Sequence, residues 1–316
     1  MTGQQLGFWQ SAKAKQAPLN WSYSRAKRLR SCHRKYYYYH YESLRGRHKD
    51  SPAHRREMFV LRGLVNRFEW VGEVVHHAVE DFLTSERQGK RVDTALLIQN
   101  ITKKMRLQYL ESSQKRYREH PGRAFGLFEH EYDAPLSKQD WQQVHERMEM
   151  CLDQFKNLPL LTEIQASAGA NWLALENYSR FKIEQTTIVL KPDIAWRTPE
   201  GDLMLVDWKT GKAYPDDENL QLGIYGLFLA RYWGHNARHI LGTIVYLESG
   251  GSRQVNLDPA LRNRALQEIQ ASGKLMRKLD DRVLDIHEDE LLAAFPQTND
   301  CQTCKFCVFK RLCSRV

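Results

Sequence analysis

Two carboxylates and a lysine stand close together in the second half of this 316-residue chain: Asp193, after Pro192, and the triplet Asp207-Trp208-Lys209. Residues two apart on a strand project from one face, so Asp207 and Lys209 would point the same way, and a hairpin between the two segments would bring Asp193 alongside. Paired carboxylates can hold Mg²⁺ or Mn²⁺ while leaving positions for water and phosphate oxygens, and a neighbouring ammonium can orient an attacking water and offset charge at phosphorus. That is the chemistry of phosphodiester hydrolysis. Downstream, Gln221 and Tyr225 are spaced to share a helix face; upstream, Gly72-x3-His76 puts an imidazole on a helix, with His77 beside it and Glu80 one turn on. Taken singly, the acid-x-Lys triplet is a common one, Tyr225 reads as a core ring and His76 as a structural histidine. Their occurrence in one chain is what points to a metal site.

A second constellation ends the sequence. Four of the six cysteines are spaced Cys301-x2-Cys304-x2-Cys307-x5-Cys313. Thiolates so spaced hold zinc or an iron–sulfur cluster, and the spacing alone does not choose between them. Cys32 lies in the basic aromatic segment Arg30–Tyr36, whereas Cys151 falls in an amphipathic helix and reads as a buried small hydrophobe.

The elements that must position these groups follow from periodicity and turn residues. Residues 1–20 read as a loose arm, and Ser24–Leu44 as helix-compatible, ending in a tyrosine-rich run that reads as core more than as a stacking platform for bases. An exposed loop at 45–56 precedes helices expected over Val60–Leu83, Thr94–Leu110 and Trp141–Leu158. From Trp172 the texture becomes that of one compact sheet, with runs at Phe181–Glu184, Thr186–Leu190, Ile194–Trp196 and Leu203–Trp208 and a turn at Thr198–Asp202. A helix over Asp216–Trp233, a strand over Leu241–Leu247 and helices over Pro259–Leu279 and Glu288–Phe295 complete the pattern. The expected fold is α/β, with residues 21–316 as one domain: a mainly helical part (21–170), a catalytic sheet and its helix (171–250), and helices with the cysteines (251–316).

Composition narrows the class further. With 42% hydrophobic and 27% charged residues the chain is neither disordered nor low-complexity, and apolar runs such as Ile240–Leu247 fall far short of the ~20 residues of a bilayer span, which excludes a membrane protein. The first residues carry no basic-then-apolar signal pattern, so a reducing cytoplasm is expected, where clustered cysteines serve metals rather than disulfides. The net charge of +9 is regional: residues 1–62 hold 14 Lys/Arg against three acidic residues, so the remainder is slightly acidic. A local basic block of this kind suits a polyanion, with DNA or RNA the commonest partner.

In this order, Ser22-Tyr23-Ser24 through Cys32, Gly72-x3-His76, Pro192-Asp193, Asp207-Trp208-Lys209, Gln221-x3-Tyr225 and the terminal cysteines resemble the PD-(D/E)XK nuclease superfamily, in its RecB-like branch with the AddB nuclease domain and the CRISPR-adaptation exonucleases. The likeness runs from Ser22 to Cys313. It implies a restriction-endonuclease-like core sheet flanked by helices, with a helical N-terminal half and a cysteine-stapled C-terminus. It further implies a metal held by His76, Asp193, Asp207 and the backbone carbonyl of Trp208, with Lys209 catalytic and Gln221 and Tyr225 supporting the site or the DNA strand. In the iron–sulfur members one early cysteine joins three late ones, which maps a [4Fe–4S] cluster onto Cys32, Cys304, Cys307 and Cys313. Cys301 is then spare, although it could replace Cys32 in a local four-thiolate site, and zinc is the alternative metal. Where the family often has tyrosine this chain has Trp208. The implied activity is metal-dependent cleavage of DNA, at ends or in single strands, in repair, recombination or phage-related defence. The competing reading is a nucleic-acid-binding scaffold subunit of a helicase or integrase-type complex. No G-x4-G-K-[ST] phosphate loop is present, so the chain itself encodes no helicase motor.

Overall fold

The computed structural model describes residues 19–167, 171–285 and 288–313; most of the expected arm at 1–20 lies outside them. Among the described residues the strands form two sheets rather than one. Three strands, β1 (Leu19–Trp21), β3 (Ser179–Ile183) and β4 (Thr186–Leu190), make a small sheet in the order β1-β4-β3. The larger sheet runs β2-β5-β6-β7-β8, from β2 (Trp172–Leu175), β5 (Ile194–Arg197), β6 (Leu203–Lys209), β7 (Ile240–Tyr246) and β8 (Gly251–Asn256). The chain leaves one sheet for the other at Lys191-Pro192-Asp193, where a proline without an N–H cannot continue a ladder. Asp193 therefore sits at a forced break.

β6 is buried along Leu203–Trp208, the continuous apolar run expected of a strand covered on both faces. Leu203 and Leu205 belong to one core, with Leu222 and Ile224 of helix Pro215–Trp233; Met204, Val206 and Trp208 belong to the other, with Val75 and Val79 of helix Arg67–Arg87 and Met148 of helix Lys138–Lys156. β5 and β6 are antiparallel across a turn in which Gly201 takes φ +93°, a conformation that favours glycine. β6 and β7 are parallel, and helix Pro215–Trp233 is the crossover such a pair needs. Pro215 at its start and Asp216, Asp217 and Glu218 in its first turn suit a helix N-terminus. No helix among the described residues is long and apolar enough to cross a membrane.

Two expected helices are interrupted. Val60–Leu83 is in fact two, Ala53–Arg62 and Arg67–Arg87, because Asn66 starts the second with a capping box closed by Glu69. The stretch Ser24–Leu44 breaks at Cys32, which is extended (φ −166°) between helices Tyr23–Ser31 and His33–Tyr37, and a π-helical turn follows at Tyr38–Glu42. The tyrosines are core: Tyr36, Tyr37 and Tyr38 are buried, Tyr37 stacks on Phe295 at 4.7 Å, and Tyr38 meets Phe309 edge-on at 5.6 Å. Both phenylalanines are fully buried, so the early aromatic segment clamps the chain's far end. Strand β8 and helix Pro159–Ala166 have no counterpart in the sequence reading.

Candidate active site

The site forms where β6 leaves the sheet. Ile194 pairs with Val206, which sets Asp193, one residue before β5, across from Asp207. Both carboxylates are buried. Asp193 Oδ2 accepts the Trp208 backbone N–H at 2.7 Å, and Asp207 Oδ2 lies 2.6 Å from Lys209 Nζ. Gln221 binds this pair from the crossover helix: its Oε1 accepts from Lys209 Nζ at 3.0 Å and its Nε2 donates to Asp207 Oδ1 at 3.1 Å. That amide nitrogen also donates to the Tyr225 hydroxyl at 2.9 Å, and the hydroxyl donates to the Lys191 carbonyl at 3.2 Å. The Trp208 side chain points away, into the core against Phe155 at 5.4 Å, so tryptophan in place of tyrosine changes packing while the backbone still reaches the site.

His76 approaches from helix Arg67–Arg87, its Nδ1 3.6 Å from Asp193 Oδ1 and 3.5 Å from Glu176 Oε1. Glu176 is a residue that sequence reasoning missed. It follows β2 in a left-handed conformation (φ +48°), its backbone N–H donating to the carbonyls of Pro192 and Asp193 at 3.1 and 2.9 Å. Its Oε2 is 2.7 Å from Lys191 Nζ, which also lies 3.5 Å from Glu80. His77 faces out and pairs with Glu80 at 3.5 Å. Among the described residues, one set of three or more His, Cys, Asp and Glu places its ligand atoms all within 4.8 Å of one another: His76, Glu176 and Asp193. Asp207 stands beside this set, turned to Lys209.

The charges are strongly perturbed. Burial raises the pKa of Asp193, aided by Asp207 and Glu176 and opposed by His76. Burial opposes charge on His76, but Asp193, Glu176 and Asp207 outweigh it and lift the imidazole to about 9. Lys209 behaves alike: burial works against the ammonium, and Asp207 more than compensates, so its pKa is raised and it stays protonated. Three carboxylates thus draw in every nearby cation. Two of their buried oxygens are held by ion pairs alone, Glu176 Oε1 facing His76 Nδ1 at 3.5 Å and Asp207 Oδ2 facing Lys209 Nζ at 2.6 Å. Buried carboxylate oxygens clustered beside an imidazole fit a hard divalent cation, which takes oxygen and nitrogen donors.

The cysteines gather at a different place. Cys32, Cys304, Cys307 and Cys313 line one small pocket with Lys35, Tyr38 and Phe309; Cys301 is exposed and outside that lining. The extended backbone at Cys32 turns its thiol toward the C-terminal segment, and burial raises the pKa of Cys307 and Cys313, with Cys32 and Cys304 adding to the effect. No three of these thiols close to within 4.8 Å.

An α/β sheet carrying a carboxylate–imidazole cluster and a partly buried lysine at the end of its central strand fits the class of metal-dependent hydrolytic proteins. The model of the PD-(D/E)XK nuclease superfamily matches residues 20–314, and the chain belongs to that superfamily. It is accordingly a nuclease of the metal-dependent kind. No curated protein matches. Among solved structures, the crystal structure of SSO0001 is similar over 66% of this chain and 83% of that one, at 15% identity and a TM-score of 0.28.

Proposed function

We propose that the protein is a deoxyribonuclease that degrades DNA from ends or in single strands, with its two termini joined by a [4Fe–4S] cluster. The observation that carries the nuclease chemistry is the convergence of His76, Glu176, Asp193, Asp207 and Lys209, with two buried carboxylate oxygens held only by ion pairs to the imidazole and the ammonium. His76, Asp193, Asp207 and the Trp208 carbonyl would hold Mg²⁺ or Mn²⁺, with Glu176 as an added acidic group. Bound there, the cation would polarise the scissile phosphodiester as a Lewis acid.

The chain's own residues supply the rest. Lys209, protonated and fixed between Asp207 and Gln221, donates hydrogen bonds to the incoming water and to a phosphate oxygen and is not a base. As the water oxygen bonds to phosphorus it releases a proton to solvent, the bond to the leaving oxygen breaks, and that oxygen takes up a proton from solvent in turn. Gln221 and Tyr225 hold Lys209 and Asp207 in place.

The choice of DNA, of ends or single strands, and of a role in repair, recombination or phage-related defence rests on the resemblance to the RecB-like branch. The iron–sulfur reading draws support from the pocket that unites Cys32 with three late cysteines while excluding Cys301. Six free thiols suit a reducing cytoplasm. The intact Asp-x-Lys and His76 weigh against a scaffold subunit without cleavage. Anaerobically purified protein should degrade end-labelled linear DNA with Mn²⁺ or Mg²⁺, and Lys209→Ala should not. Failure of wild type on single- and double-stranded ends with either metal would refute the proposal.

A further inference from the structure

Two arginines outside the hydrolytic centre lack the anion their surroundings call for. Arg28, on helix Tyr23–Ser31, and Arg62, closing helix Ala53–Arg62, both lie over the ring of Tyr39, at 3.7 and 4.5 Å from its centroid. Other arginines of this basic segment have acceptors: Arg30 pairs with Asp217 and Glu268, Arg45 and Arg55 with Glu42, and Arg34 donates to the carbonyls of Leu292 and Phe295. Arg28 has a hydrogen bond to His40 Nε2 at 3.0 Å, and Arg62 Nε is buried with no acceptor. Glu69 exerts a Coulomb pull on Arg28, but its Oε2 is engaged by the Asn66 N–H at 3.1 Å. His40 supplies no negative charge: burial and the arginines around it push its pKa down to about 2, leaving it a neutral acceptor. Two partly buried guanidiniums on one ring repel each other. An anion between them would remove that cost.

The place of this pair says which anion. Ser24 is one turn before Arg28 on the same helix face, and with Ser22 it lines a cavity of about 500 Å³ shared with Lys191, Gln221 and Tyr225 of the candidate active site. Glu69, which acts on Arg28 through its charge, stands seven residues before His76 along helix Arg67–Arg87, about 10 Å at 1.5 Å per residue. We infer that Arg28 and Arg62 bind a backbone phosphate of the strand being cut, beyond the scissile bond; the inference rests on the nuclease reading above. Guanidinium forks match phosphate oxygens in pairs, and such a contact fixes the strand's register without reading its sequence.

The test is binding, so that it does not depend on turnover. Fluorescence anisotropy of a labelled single-stranded oligonucleotide, with Ca²⁺ in place of Mg²⁺, would be titrated over a range of salt concentrations for wild type, Arg28→Gln/Arg62→Gln and Arg28→Lys/Arg62→Lys. The glutamine pair should weaken binding about tenfold and lower the slope of log K against log salt by about 0.7, the value for one phosphate contact on a single strand. The lysine pair should retain most of that slope. Hydrolysis of bis(p-nitrophenyl) phosphate, a diester too small to reach the arginines, should be the same in all three. An unchanged slope in the folded glutamine pair would overturn the inference, as would a lysine pair that loses affinity as fully as the glutamine pair, since that marks a packing role. Wild type that hydrolyses neither DNA nor the small diester would refute the nuclease reading by itself, and the salt slope would still decide the phosphate site.

Discussion

Gln221 offers a sharp test of the proposed chemistry, because it touches both charged partners and bears no charge itself. Its Oε1 accepts from Lys209, and its Nε2 is shared between Asp207 Oδ1 and the Tyr225 hydroxyl. Gln221→Ala removes two hydrogen bonds to charged groups and frees Lys209 to collapse onto Asp207, which already lies 2.6 Å away. A hydrogen bond to a charged group contributes about 1.5–3 kcal/mol. If that energy serves to hold the ammonium where the reacting phosphate needs it, kcat should fall about 10- to 150-fold, at 1.36 kcal/mol per tenfold, with KM changed little. Gln221→Glu should lose more. It keeps the shape but places a carboxylate against Asp207 and can no longer donate to Asp207 or Tyr225. The assay is steady-state cleavage of an end-labelled oligonucleotide in Mn²⁺, with thermal melting to show that each variant is folded. A folded Gln221→Ala within twofold of wild type in kcat would refute the positioning argument and mean that Asp207 alone holds the lysine.

Three further outcomes follow from the same geometry. Glu176→Gln should weaken Mn²⁺ binding by calorimetry at least about tenfold, as expected when a charged group at a metal site is neutralised, and wild-type affinity in this variant would show that Glu176 only anchors Lys191. Cys32→Ser should lose visible charge-transfer absorption and bound iron after anaerobic purification while Cys301→Ser keeps both; the reverse pattern would place the group on the four late cysteines alone. Glu131 is buried and accepts from Tyr117 and Arg118, with Arg311 beside it, and these partners outweigh burial and hold its pKa below the usual carboxylate range. The stability it contributes should therefore be fully present above about pH 4.3 and fade as pH falls through the lower folded-state value. Glu131→Gln should cost about 1–3 kcal/mol at neutral pH, allowing for solvent at both arginines, and the gap in melting temperature should close in acid; a gap independent of pH would contradict this.

Much of the site was legible because β6 obeys simple rules. A continuous apolar run broken by Asp207 and Lys209 reads as a buried strand with two polar groups on one face, and the turn residues at 198–202 fix the hairpin that aligns Asp193 with Asp207. The i, i+4 spacing of Gln221 and Tyr225 likewise becomes a direct contact. Glu176 was not legible for a physical reason: it reaches the site through a left-handed backbone at a strand end, where glycine or asparagine is the usual occupant, so neither its type nor its neighbours signal the bend. The break at Asn66 carried a signal in Asn66-x-x-Glu69, but it lies inside an apolar period strong enough to read as one helix. The division into two sheets was hidden because β1 pairs with β4 across more than 160 residues, a contact that no local pattern encodes.

These long-range contacts explain why the basic segment stands where it does. Helix Tyr23–Ser31 hangs between two fixed points: β1 pairs with β4 just before it, and the extended Cys32 just after it turns a thiol into the pocket of the C-terminal cysteines. One face of that helix is spent on ion pairs from Lys27 and Arg30 to Asp217 of the crossover helix, which itself carries Gln221 and Tyr225. Arg28 instead hydrogen-bonds to His40 and feels Glu69 only through its charge. Any group that bridges Cys32 and the late cysteines would then do more than close a long loop. It would hold the helix bearing Arg28 in register with the carboxylates, so loss of that bridge should weaken binding of the strand before it affects hydrolysis of a small diester.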